Sequence, residues 1–167
     1  QNRSAKIGKE VVLDVKDLSS GPKLQNVSLQ VRRGEILGLA GLMGSGRTEL
    51  VNTLFGILKP TSGTISINGK VIDISSPQKA IQSHIALIPE DRRAQGLVLD
   101  HSVTENLTLP LLDEVKSGGL LSKKKIFSKS KEIIAQFDIK LAYPGIRVGS
   151  LSGGNQQKVV IGKWLGT

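Results

Sequence analysis

Apolar residues recur along the chain in short runs broken by glycine, proline and polar clusters, so the pattern predicts short strands and helices rather than one repeating unit. Val11 to Val15 reads as a strand, and Ile36 to Ala40 as a second that runs into the glycine-rich segment from Gly41 to Gly46. Beyond it Leu50, Val51, Leu54 and Phe55 return at helical spacing, giving the order strand, glycine loop, helix, with Gly56 and Pro60 as the stop. Thr64 to Ile67 alternates polar and apolar, and Asn68-Gly69 supplies the two positive-φ residues of a tight hairpin into Val71 and Ile72. That predicts an antiparallel pair beside a parallel core. Ser76-Pro77 starts a helix with proline at its first position, Ile85 to Ile88 reads as a buried strand, and Ser102 with Glu105 forms a capping box before another helix. From Leu111 the texture changes to a loop around Gly118-Gly119, a basic run from Lys123 to Lys125, and a helix from about Lys129 to Phe137, together a helical subdomain.

Composition narrows the class. At 167 residues with 38% hydrophobic and 22% charged, the chain suits one domain with a small appended subdomain and is neither disordered nor membrane-spanning. Gln1 to Lys6 lacks the apolar core of a signal peptide, and with no cysteine a reducing, cytoplasmic setting is expected. Lys and Arg number 23 against 14 Asp and Glu, a formal net charge of +9 that favours anionic partners: nucleotides, nucleic acid or a membrane face. Only 3% of residues are aromatic, too few for a stacking platform on single-stranded nucleic acid.

Two motifs carry the chemistry. Gly41, Leu42, Met43, Gly44, Ser45, Gly46, Arg47 and Thr48, followed by Glu49, match the phosphate-loop template G-x-x-x-x-G-K-S/T except that Arg47 stands in place of lysine. Glycines there let successive N–H groups turn toward a phosphate at a helix N-terminus, and Thr48 sits where a hydroxyl binds Mg²⁺. Read alone, the segment fits either a phosphate cradle or a ligand-free glycine turn. A forked guanidinium differs from the compact ammonium of the template, and losing that contact removes about 1.5–3 kcal/mol, on the order of ten- to a hundredfold in affinity. The second motif is Leu151, Ser152, Gly153, Gly154, Asn155 and Gln156, followed by Gln157 and Lys158 and then a helical pattern of Val159, Val160, Ile161, Trp164 and Leu165. By itself it fits either a second anion site or an ordinary serine-capped helix.

Together the two motifs resemble the ABC ATPase family, in which LSGGQ is the signature that contacts the terminal phosphate of ATP held by an opposing domain. The variant LSGGNQQK resembles the C-terminal ATPase half of the double-domain subunits of monosaccharide importers of ribose, galactose, arabinose or xylose type. Pro89-Glu-Asp-Arg92, Gly96-Leu-Val98 and Ser102-Val-Thr-Glu-Asn106 agree with that half.

The resemblance implies an α/β P-loop NTPase of ABC type: a mixed sheet core, an antiparallel β subdomain and a helical subdomain. It divides the chain into a linker (1–8), a nucleotide-binding core with the β subdomain (9–100), the helical subdomain (101–150), and the signature with its helix (151–167). ATP and Mg²⁺ are the implied cofactors. The implied partners are the N-terminal ATPase half of the same subunit, membrane permease subunits and, indirectly, a sugar-binding protein, with no nucleic acid and a peripheral site on the inner face of the cell membrane.

Glu90 falls where ABC domains keep the Q-loop glutamine, and a carboxylate there either touches Mg²⁺ or faces solvent. The stretch from Leu18 to Val27 lacks the aromatic that stacks on adenine in many relatives, a loss of about 1 kcal/mol. The family's Mg²⁺-binding Asp and catalytic Glu lie on a strand beyond the signature helix, whereas no Asp or Glu follows Asp138 here. The expectation is therefore a piece of a longer subunit, without a general base and without ATPase activity alone. A nucleoside importer and a soluble ABC protein acting on nucleic acid or ribosomes are the alternatives; Arg47 favours sugars. His84 and His101 have no ligand-spaced partner and read as structural or solvated. The run Lys123 to Lys125 reads as a solvated face or as a weak attraction for lipid.

Overall fold

The computed structural model describes residues 7–166. Most of the expected linker, residues 1–6, and Thr167 lie outside the described residues. The chain forms two compact units that divide between Leu87 and Ile88, ahead of the division between residues 100 and 101 expected from sequence.

The first unit is built on a four-stranded antiparallel sheet in the order β2-β1-β3-β4: β1 Val11–Ser20, β2 Leu24–Arg32, β3 Ser62–Ile67 and β4 Lys70–Val71. The β3–β4 connection is the expected tight hairpin, with Asn68 and Gly69 at φ 49° and 76°. β1 runs five residues past the predicted strand, its pairing shifting register at Val15/Leu18 and Lys16/Ser19. β2 went unread in the sequence although Val27, Leu29 and Val31 alternate with polar residues, and the structure half-buries those three while exposing their neighbours. α1 Arg47–Leu54 follows the glycine loop, and α2 Pro77–Gln82 starts at Pro77 with the Ser76 hydroxyl accepting from the Lys79 amide. Val15, Leu18, Leu24 and Ile65 from the sheet, Leu50 and Phe55 from α1 and its end, and Ile74 and Ala80 are buried.

Two predicted strands do not form. Ile36–Ala40 and Ile85–Ile88 pair with no strand among the described residues, and Ile36 is 94% exposed. The reason is that a parallel strand is stabilised only pairwise: without a neighbour, its N–H and C=O groups stay with water and its apolar side chains have nothing to cover them. The described sheet is antiparallel throughout, so the parallel part of the expected mixed sheet is not paired.

The second unit is helical. A π-helical turn, Arg92–Gly96, precedes α3 Val103–Thr108, a two-stranded hairpin of β5 Lys116–Ser117 and β6 Leu120–Leu121, α4 Lys123–Gln136 and α5 Gly153–Leu165. Leu97, Val103, Leu107, Leu111, Val115, Ile133, Ile139, Val148, Val159 and Val160 form one buried cluster. Leu97, in the stretch before residue 101, is part of that cluster. Both halves of the capping box are made: the Ser102 hydroxyl accepts from the Glu105 amide at 3.1 Å, and the Ser102 amide donates to the Glu105 carboxylate at 2.8 Å. α4 starts six residues before its predicted start, with the basic run as its first turn and Ser122 as its cap. Three lysines at a helix N-terminus oppose the helix dipole, so the run carries no sequence signal of a helix start. Gly118-Gly119, read as a loop, is the turn of the β5–β6 hairpin.

Candidate functional site

In the first unit the segment from Gly41 to Ser45 is exposed and irregular, with the Ser45 amide donating to the Leu42 carbonyl at 3.2 Å. Gly44 and Gly46 adopt left-handed φ values of 80° and 86°. Gly46 is the N-cap of α1 and has no side chain to satisfy the first-turn amides. A Cβ at Gly46 would stand 2.6 Å from the Lys23 carbonyl oxygen, so the β1–β2 turn approaches the loop more closely than any other residue would allow. Arg47 and Thr48 are exposed, and the Arg47 Cδ lies 3.8 Å from where a Cβ on Gly41 would be, so the side chain folds back over the loop.

Lys23 also pairs with Glu49 at 3.3 Å. The Glu49 carboxyl is held below the ordinary glutamate value by its own backbone amide and by Lys23. Beside this pair lies an open cavity of about 410 Å³ bordered by Pro22, Lys23, Glu49, Leu58 and Lys59, with no aromatic side chain in its lining. Sequence reasoning had no signal for Lys23, because only the fold of the β1–β2 turn brings it to the loop.

In the second unit Leu151 packs half-buried against the helical core, and Ser152 is the N-cap of α5. The serine hydroxyl does not cap a backbone amide; it accepts from the Asn155 side chain at 3.1 Å. Gly153 and Gly154 are exposed. Asn155 is further tied by accepting from the Lys140 amide at 2.9 Å, and Gln156 is buried, its amide group facing the carbonyls of Val148, Gly149 and Leu151 at 3.2–3.4 Å. The motif thus splits by role: Leu151, Asn155 and Gln156 hold the turn, while Ser152, Gly153 and Gly154 present a hydroxyl and free amides to solvent. In the same unit Glu90 is exposed, and Asp91 caps the π-helical turn by accepting from the Arg93 and Ala94 amides at 2.9 and 3.0 Å. Those two donors hold the Asp91 carboxyl below the ordinary aspartate range. Trp164 is half-buried, with Lys163 Nζ 5.7 Å from its ring centre. Among the described residues no group of three His, Cys, Asp or Glu side chains is placed to hold a metal ion, and no helix is long and apolar enough to cross a membrane.

Both glycine-rich segments therefore open a helix of eight or more residues whose first amides lack side-chain caps. Residues 24–167 match the family described as ABC transporter. The chain belongs to that family. This ABC chain is 46% identical over 164 residues to a ribose import ATP-binding protein of Bacillus cereus, covering 98% of the chain and 33% of the relative. It is 45% identical over 156 residues to a protein of the same name in Agrobacterium fabrum, covering 93% and 31%. The chain spans about a third of the length of these curated relatives. Among solved structures it resembles a nucleotide-free ATP-binding cassette from an ABC transporter, with a TM-score of 0.74 at 24% identity over 93% of this chain and 65% of that one. It also resembles cbiO1 from Clostridium perfringens, with a TM-score of 0.72 at 22% identity over 95% and 62%. These likenesses show the fold: the chain is a P-loop cassette of ABC type.

Proposed function

We propose that the chain is an ATP-binding domain of a bacterial ABC importer that couples ATP binding and hydrolysis to uptake of a monosaccharide, with ribose favoured by the names of its relatives. The observation that carries this reading is the pair of uncapped, glycine-lined helix N-termini, at α1 and α5, in a chain 45–46% identical to ribose import ATP-binding proteins.

In this reading the amides from Gly41 to Thr48 receive the phosphates of one ATP, while Ser152 and the first amides of α5 receive the terminal phosphate of another ATP held by the N-terminal half of the same subunit. Thr48 would hold Mg²⁺ together with the nucleotide's phosphates, and the bound ion would supply positive charge to the phosphoryl group being transferred. The open turn, its left-handed glycines and the exposed Thr48 hydroxyl fit that use. Arg47 weakens the site at α1, because its fork replaces the ammonium that reaches the terminal phosphates. Lys23 holds Glu49 in an ion pair, which leaves that carboxylate a poor base for water. These 167 residues alone are accordingly inactive as a hydrolase, and the site completed by α5 does most of the work in the subunit. Glu90 stands at the Q-loop position and faces the membrane permease subunits, with a sugar-binding protein delivering the cargo and no nucleic acid involved. The domain sits on the cytoplasmic face of the membrane.

Reconstitution of the full subunit with its permease tests this: ATP-driven uptake of labelled ribose should fall by at least about a hundredfold in Ser152→Ala if the hydroxyl contact supports closure and transition state together. Uptake that survives the substitution unchanged contradicts the reading.

A further inference from the structure

The π-helical turn that follows Glu90 meets α5 at both ends and is hydrogen-bonded to it at one. At its start a terminal nitrogen of Arg92 lies 2.7 Å from where a Cβ on Gly153 would stand. At its end a Cβ on Gly96 would lie 3.0 Å from Val160, and the Lys163 ammonium, its pKa lowered by burial, donates to the Gly96 carbonyl at 2.6 Å. Residues 153, 160 and 163 recur at helical spacing on one side of α5.

The charge that Arg92 brings to the start of α5 meets no carboxylate in direct contact there, although the neighbouring Asp91 attracts it at longer range. Among the described residues it forms no ion pair, and its buried Nε–H has no hydrogen-bond acceptor. The neighbouring Asp91 carboxylate accepts from two backbone amides and acts on Arg92 only as the weaker, longer-range attraction. α5 has no acidic residue in its first turn, and none follows Asp138, which pairs with Lys140 at 2.6 Å and Lys158 at 3.5 Å. Arg92 is half-buried as a residue, so the cost of an unpartnered donor falls on its Nε–H alone, and an anion at the same helix end would be drawn to the dipole and the guanidinium together.

Resting on the reading of the α5 N-terminus as a receiver of phosphate, we propose that Arg92 is a further residue of that site, setting a fixed positive charge beside the terminal phosphate that Ser152 and the α5 amides receive. The absence of a side chain at Gly153 leaves room for the Arg92 guanidinium at the start of α5. Arg92 follows Glu90 by two residues and stands against the first residue of the signature helix.

The test uses the full subunit assembled with its permease and compares Arg92→Gln, Arg92→Lys and Ser152→Ala by kcat and KM for MgATP, with melting temperature as the control for packing. Arg92→Gln should raise KM about tenfold or more, as loss of a charge-assisted contact does. Arg92→Lys should stay within about threefold, because the charge is kept, and the melting temperature of both should be unchanged. An unchanged KM in Arg92→Gln beside a raised KM in Ser152→Ala overturns the role of Arg92 and leaves the signature reading standing. No effect of Ser152→Ala removes that reading and the role of Arg92 with it. Equal losses in Arg92→Lys and Arg92→Gln, or a lowered melting temperature, would make Arg92 a packing residue only.

Discussion

The two glycine-rich segments have similar sequences of small residues ahead of a helix, yet the structure treats them differently. The signature helix α5 is locked into the helical cluster through Val159, Val160 and the buried Gln156, so its N-terminus is a formed surface. The phosphate loop hangs from an unpaired apolar stretch, with Ile36 94% and Met43 98% exposed. Burial of neighbours, not the motif itself, decides whether such a turn is held in place. A helix completes its backbone bonds within itself and needs a partner on one face only, whereas a parallel strand needs neighbours at its edges before it exists at all.

This contrast breaks first in amide hydrogen exchange. Amides of Val159 and Val160 should exchange slower than those of Ile36 to Leu39 by on the order of a thousandfold or more, since core helices open only near the global free energy and unpaired segments open freely. Comparable protection in both places would mean that the segment from Ile36 is paired in solution. A pair of substitutions sharpens the same point. Leu107→Ala, at a fully buried side chain, should cost about 2–5 kcal/mol in urea unfolding, and Ile36→Ser no more than about 0.5 kcal/mol. The loop is not wholly without constraint: Gly46→Ala, at φ 86° and against the Lys23 carbonyl, should cost about 1–3 kcal/mol.

Smaller effects belong to the helical unit. Ser102→Ala removes the capping box and should cost about 1 kcal/mol. Glu105 is held below the ordinary value of 4.5 by Ser102, first through the hydroxyl and then through the amide. A depressed carboxyl contributes stability that is fully present above its unfolded pKa and is lost as pH falls through the lower folded one. Unfolding monitored against pH should therefore show a decline beginning near 4.5 that Glu105→Gln flattens; an identical decline in the variant would assign it to other carboxylates such as Asp91.

Much of this was legible in the sequence because it is local. Asn68-Gly69, Ser76-Pro77 and Ser102 with Glu105 specify their turns and caps within four residues, and each has the expected geometry. The segments Ile36–Ala40 and Ile85–Ile88 were misread because an apolar run reports a preference for burial and says nothing of whether a partner stands beside it. β2 carried a readable alternation at Val27, Leu29 and Val31, and α4 a readable cap at Ser122 that three lysines obscured. Lys23 beside the phosphate loop and Arg92 beside Gly153 could not be seen, since both meet their motifs through folding over long stretches of chain.

The difference between the two sites is tested most directly by titrating this chain with MgATP before and after Arg47→Lys. Weak binding that tightens by about tenfold or more in the variant is the expected result, since a charge-assisted phosphate contact is restored. Submicromolar binding by the native chain, unchanged by the substitution, would contradict the account of a weakened phosphate loop.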